Sequence, residues 1–235
     1  MADKKAVRIQ ESFLNRAEKK VLVYLAERQP KWVVSDTLTL IGTLGACMIA
    51  AGFILCGLNI NWLWLSIFGF FVNWYGDSLD GTLARVRGTQ RPVYGYYLDH
   101  TMDVINETIM FLGIGLSPLM RLDLSLMILI AYLCLTLNVS IDAHLKSEFR
   151  LTYAKLGPTE FRIIACVLIL TLMYVPAIRD FHTTLTVFGR TLPLGSLDIA
   201  GAVILLALIA IYLVTVIQDA RGYSRTDPGP QITKR

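Results

Sequence analysis

Four aspartates lie between Asp77 and Asp103, with long apolar runs on either side, and this placement narrows the possible folds more than any other feature. The segment reads Asp77-Ser-Leu-Asp80-Gly81-Thr-Leu-Ala84-Arg85, then nine residues, then Gly95-Tyr-Tyr-Leu-Asp99-His100-Thr-Met-Asp103. Residues three or four apart share a helical face, so Asp77 with Asp80 and Asp99 with Asp103 project as pairs. A helix-loop-helix hairpin would bring all four together. An ionised Asp at bilayer depth costs roughly 3 kcal/mol on insertion scales, so such a cluster requires a cation or a wet cavity. Mg2+ and Mn2+ take oxygen ligands of this kind. Gly81 and Ala84 permit close approach of a ligand, and Arg85 offers a phosphate contact. Capping at helix ends and a proton or cation relay in a transporter remain open for paired acids alone.

The chain has 235 residues, of which 54% are hydrophobic and 17% charged, with a mean hydropathy of +0.55. Soluble domains carry about 25% charge. The expectation is an all-α integral membrane protein with six transmembrane helices, at about 38–56, 62–75, 94–116, 124–141, 160–175 and 194–217. The second continues as helix through Arg85, and 86–92 reads as a loop. Residues 4–30 place Phe13, Ala17, Val21 and Leu25 on one stripe, with Lys5, Arg16, Lys19, Lys20 and Arg28 elsewhere. That is the pattern of an amphipathic helix in the membrane interface. Pro30 and Trp32 then mark the turn into the bilayer. The organisation expected is an interfacial helix at 1–34, a six-span core at 35–220 and a polar, disordered tail at 221–235.

With six spans, all of the 22 Lys and Arg except Arg121, Arg179 and Arg190 fall on one side. The positive-inside rule then puts both termini and the acids on the cytoplasmic face. No array of basic and aromatic residues suits nucleic acid. Cys47, Cys56, Cys134 and Cys166 are scattered without metal or disulfide spacing. The charged N-terminus lacks a cleavable signal, and no repeat supports an inverted-repeat transporter.

At its acids the chain resembles the CDP-alcohol phosphotransferases of phospholipid synthesis, whose signature is D-x-x-D-G-x-x-A-R, a spacer, then G-x-x-x-D-x-x-x-D. Every fixed position is filled, by Asp77, Asp80, Gly81, Ala84, Arg85, Gly95, Asp99 and Asp103. The resemblance implies that Asp77, Asp80, Asp99 and Asp103 hold one or two Mg2+ or Mn2+ ions. It implies that Gly81, Ala84 and Arg85 receive the nucleotide diphosphate, and that Asp103, with His100, takes the proton of an alcohol acceptor while CMP leaves. Family members often show P-N-x-x-T before the first span. Here Thr39 matches, beside the donor phosphates, while Ser35 and Asp36 replace Pro and Asn. Homodimers are common among relatives.

The Asp99-His100 pair and the segment Leu156-Gly157-Pro158-Thr159-Glu160-Phe161-Arg162 resemble the choline and ethanolamine phosphotransferase branch. The implied pairing is a CDP-choline or CDP-ethanolamine type donor with a lipid hydroxyl such as diacylglycerol. The alternative is CDP-diacylglycerol donating to a small polar alcohol such as inositol phosphate, glycerol phosphate or serine. For that alternative, His144, Lys146, Arg150, Lys155 and Arg162 form a basic group suited to an acceptor phosphate, a grouping that positive-inside topology also produces. Glu107, one turn beyond Asp103, suits either a cationic headgroup or a hydrogen bond within the bundle, and Glu160 with Thr159 suits a helix start. Asn73, four residues before Asp77, reads as a helix-helix hydrogen bond. A divalent-cation transporter and a non-catalytic scaffold are the readings from other classes.

Overall fold

Within the apolar runs, backbone polar groups have only each other to bond, and local helix satisfies them all. The structure, a computed structural model, describes residues 7–9, 15–146, 148–150, 158–187 and 189–227. Its helices are α1 (Asn15–Glu27), α2 (Ser35–Leu55), α3 (Leu63–Arg87), α4 (Pro92–Gly115), α5 (Leu122–Lys146), α6 (Pro158–Tyr174), the single turn α7 (Pro176–Arg179) and α8 (Ser196–Thr226). Short strands β1 (Val7–Ile9) and β2 (Glu148–Arg150) pair in parallel, while β3 (His182–Val187) and β4 (Arg190–Gly195) form an antiparallel hairpin.

The break between α3 and α4 sets the site. Gly88, at φ 65°, takes the left-handed conformation that ends α3, and its amide bonds back into the last turn. Helix resumes with Pro92 in its first turn, where a missing N–H costs nothing. Asp77 and Asp80 thus lie near the end of one helix, and Asp99 and Asp103 near the start of the next.

A seam of small residues binds α2 to α3. A Cβ on Gly69 would fall 2.7 Å from the Ile49 amide nitrogen and 2.8 Å from the Gly45 carbonyl oxygen, so the two backbones meet directly. Close approach lets side chains bond across: the Ser66 hydroxyl donates to the Ile49 carbonyl at 2.8 Å, and Asn73 Nδ2 donates to the Gly42 carbonyl at 3.0 Å. The interhelical role expected for Asn73 is therefore observed. Ser125 of α5 similarly donates to the Phe111 carbonyl of α4 at 2.7 Å. Away from the acids, Ile49, Phe53, Leu63, Phe70, Ile169 and Leu172 fill the main apolar core. Nearer them, Leu22, Ala26 and Val33 pack on Leu38, Leu79 and Leu83, docking α1 beside α2 and α3.

Three helices are long and apolar enough to cross a membrane by length and composition: Ser35–Leu55, Leu122–Asp142 and Ser196–Thr226. In Ser196–Thr226 only 11% of the most apolar window is buried, so its Val203, Leu206, Leu213 and Val214 face outward, as lipid contact requires. The other three expected spans fall short for identifiable reasons. α3 and α4 carry the motif acids and Glu107, which lower their hydropathy, and α6 has 17 residues.

Three expectations need correction. The chain is mostly helical and not all-α, because β3 and β4 form a hairpin between the fifth and sixth expected spans and take in the first two residues of the sixth. On α1, Leu22 and Ala26 are buried and Leu25 packs beside them, while Val21 is exposed, so the expected stripe is divided between the bundle and the outer surface. Phe13 lies outside the described residues. Helix persists through Arg87, within the expected loop, because the Arg87 guanidinium donates to the carbonyls of Gln29 at 2.8 Å and Pro30 at 2.9 Å. Helix also persists through Thr226, beyond the expected start of the tail, where Tyr223 donates to Asp142 of α5 at 2.7 Å.

Candidate active site

Three of the four motif acids converge. Asp77, Asp99 and Asp103 each offer a carboxylate oxygen, and these oxygens lie within 4.8 Å of one another. Helical spacing stacks Asp99 over Asp103, and the α3–α4 turn brings Asp77 across to them. Their donors are all hard oxygens at a separation that one small divalent ion could bridge, so the residues fit Mg2+ or Mn2+.

Asp80 lies outside this trio. One of its carboxylate oxygens accepts from Thr39 Oγ1 at 2.8 Å, and the other accepts from the Gly81 amide. Ser35 Oγ donates to the Asp80 carbonyl at 2.9 Å. The hydroxyls at the start of α2 therefore fasten to both the backbone and the carboxylate of Asp80, the residue after the buried Leu79. Thr39, read as a phosphate neighbour, is bound to a motif carboxylate, a link of 41 positions that motif spacing could not disclose. Asp36, in place of the usual Asn, accepts from the Tyr94 hydroxyl at 3.2 Å.

Arg162 is the group that sequence spacing did not attach to the acids. Its Nη2 donates to Asp77 Oδ2 at 2.6 Å and to Asn73 Oδ1 at 3.0 Å, and Nε donates to the same amide oxygen at 3.2 Å. Its side chain is 16% exposed and that of Asp77 27%. In the expected basic group for an acceptor phosphate Arg162 is thus already engaged, while the side chains of Lys146 and Arg150 lie outside the described residues. Glu160, two positions earlier, is buried. The remaining motif residues border the cluster: Ala84 is half-buried and Arg85 exposed, with Nη2 donating to Thr82 at 2.8 Å. A Cβ at Gly81 would lie 3.4 Å from the Arg85 guanidinium, an ordinary contact distance, so Gly81 and Arg85 adjoin on the same face of α3.

His100 Nδ1 is 3.1 Å from the Tyr96 carbonyl oxygen and 3.7 Å from Asp99. A carbonyl only accepts, so in the neutral ring Nδ1 carries the proton and Nε2 is the acceptor. Glu107 points into the bundle, where its Oε2 is buried without a hydrogen-bond partner. From the other flank, Glu18 of α1 accepts from Trp74 Nε1 at 2.8 Å and from Thr159 Oγ1 at 2.5 Å, tying α1 to both α3 and α6.

These features define an integral membrane protein with a polyacidic centre among apolar helices. The chain belongs to the CDP-alcohol phosphatidyltransferase family, which matches residues 32–220, and so to a family of phosphotransferases. It is also similar to the phosphatidylinositol phosphate synthase of Cutibacterium acnes (strain DSM 16379 / KPA171202), with 34% identity over 84 residues. That stretch is 36% of this chain and spans 38% of the relative's length.

Proposed function

We propose that the chain transfers a substituted phosphate from a CDP-linked donor to an alcohol and releases CMP. The convergence of Asp77, Asp99 and Asp103 carries this reading. A divalent ion bound there would neutralise the diphosphate and stabilise the departing CMP. Asp80, held by Thr39, gives the cluster its fourth acid at the nucleotide side. Arg85, exposed at the rim, reaches phosphate oxygens, and the small side chains at Gly81 and Ala84 let the nucleotide approach the helix closely. Asp103 accepts the acceptor's hydroxyl proton, and His100, with Nε2 as its acceptor atom, is placed to share that role.

Six spans remain the favoured topology, since α3, α4 and α6 fall short only through the site acids or by length. The 21 residues of α2 extend about 30 Å, close to a hydrocarbon core. Trp32 at one end and Trp62 with Trp64 at the other stand exposed, as interface anchors do. The Lys and Arg distribution supports a cytoplasmic position for the acidic end and both termini, where a nucleotide-linked donor is available. α1 lies along that surface, and two copies associate as in the family it resembles.

CDP-diacylglycerol as donor and a small polar alcohol, such as an inositol phosphate, as acceptor is the first pairing to test, because the similar relative is named for making phosphatidylinositol phosphate. A specific feature favours the second pairing, a CDP-aminoalcohol with diacylglycerol: Glu107, one turn beyond Asp103, turns a carboxylate oxygen into the bundle, which suits a cationic headgroup. Purified protein given each CDP donor with Mg2+ or Mn2+, and a panel of acceptors, decides between them by acceptor-dependent CMP release. Metal transport into sealed vesicles without nucleotide, and no CMP from any pair, would point instead to a transporter.

A further inference from the structure

We infer that Arg162 is the built-in counter-ion of the metal seat: its guanidinium holds Asp77 while no divalent ion is bound and gives way when one enters. The inference rests on the proposed metal role of the aspartates and adds a residue that the family signature does not contain. Three like-charged carboxylates within 4.8 Å of one another repel strongly in a low-dielectric bundle. The Arg162 Nη2 contact at 2.6 Å supplies the positive charge that relieves this repulsion. It does so on Asp77, one of the three acids whose oxygens would have to turn to the metal.

The arginine is aimed and not merely nearby. Asn73 Oδ1 accepts from both Nε and Nη2, and the Asn73 amide nitrogen is in turn anchored on the Gly42 carbonyl at the glycine seam. Asn73 lies one turn before Asp77, so a single helical face presents an amide that orients the guanidinium and a carboxylate that binds it. Because Asn73 is neutral, it keeps hold of Nε when Asp77 lets go. A divalent ion on the cluster repels the guanidinium, and the released Nη2 remains at the mouth of the acids, within reach of a donor or acceptor phosphate. Arg162 thus competes with the metal for Asp77, and metal binding must displace that contact.

Mn2+ binding to the purified protein, followed by electron paramagnetic resonance of the free ion and by thermal unfolding, tests this without substrate. Arg162→Gln is expected to bind Mn2+ about tenfold more tightly than the unsubstituted protein, since a competing positive charge is gone. Its metal-free form is expected to unfold at a lower temperature, and its Mn2+-induced stabilisation to be larger. Arg162→Lys keeps the charge but loses the two bonds to Asn73, and is expected to bind Mn2+ at least as tightly as the unsubstituted protein. This second variant keeps the test decisive where the first does not fold. Weaker or unchanged Mn2+ binding in Arg162→Gln, or weaker binding in Arg162→Lys, overturns the inference. No binding to the unsubstituted protein, with Asp103→Asn indistinguishable from it, overturns instead the metal site itself.

Discussion

The two ends of the helix bundle solve the problem of charge in opposite ways. At the end bearing β3 and β4, each described ion pair is local in sequence: Arg121 pairs with Asp123, and Arg179 with Asp180. Hydrogen bonding from Arg179 holds the Asp180 carboxyl below the usual carboxylate range. Asp198 accepts from the backbone amides of Gly195 and Arg121, both at 2.8 Å, and so closes the start of α8. At the acidic end, charge arrives from distant parts of the chain. Asp77, Asp99 and Asp103 are gathered together, and the cation beside them comes from Arg162, 85 positions beyond Asp77. Local pairing stabilises a boundary; long-range gathering of like charge builds an electrostatic demand that a ligand can meet.

Substitutions should separate the two ends. The largest effect is expected from Gly76→Leu, which would drive a side chain into the α2 backbone at Gly42 and Leu38, directly beneath the acids. It should cost more than about 4 kcal/mol and leave little folded protein, as read by size-exclusion yield in detergent. Next comes Thr39→Val, which removes the hydroxyl from Asp80 Oδ2 while nearly preserving shape. CMP release should fall by roughly tenfold or more, the scale of a lost hydrogen bond to a charged group, and stability by about 1–2 kcal/mol, since the Asp80 oxygen loses its donor. Glu18→Ala detaches α1 from Trp74 and Thr159. It should lower stability by about 1–2 kcal/mol and slow turnover severalfold, and Glu18→Gln should recover part of both. The smallest effect belongs to the far end. Asp123→Asn removes an exposed pair and should leave stability within about 1 kcal/mol and CMP release within about twofold. An equal loss from Asp123→Asn and Thr39→Val would erase the distinction between the ends.

What could be read from sequence follows the range of the interactions. The pairing of Asp99 with Asp103 and the break near Gly88 are local consequences of helical period and glycine chemistry, and both stand in the structure. Asn73 could be read too, because a neutral amide in an apolar run has few uses other than a neighbouring helix. The contacts of Asp80 and Arg162 could not, since Thr39 of α2 reaches Asp80, and Arg162 of α6 reaches Asp77 of α3, through packing that no spacing encodes. The β3–β4 hairpin has a local signal of its own: Thr183, Thr184, Thr186 and Val187 are β-branched, and Gly189 follows in the turn at φ 75°. By hydropathy α3 and α4 fall below the three most apolar long helices for the opposite reason, since the acids that define the site lie within them.

Whether the gathered aspartates serve transfer from a CDP-linked donor is tested most directly by CMP release from Asp103→Asn in matched detergent and lipid. With folding verified and a donor and acceptor on which the unsubstituted protein turns over, the variant is expected to release no CMP above background. Release at the unsubstituted rate would contradict the account.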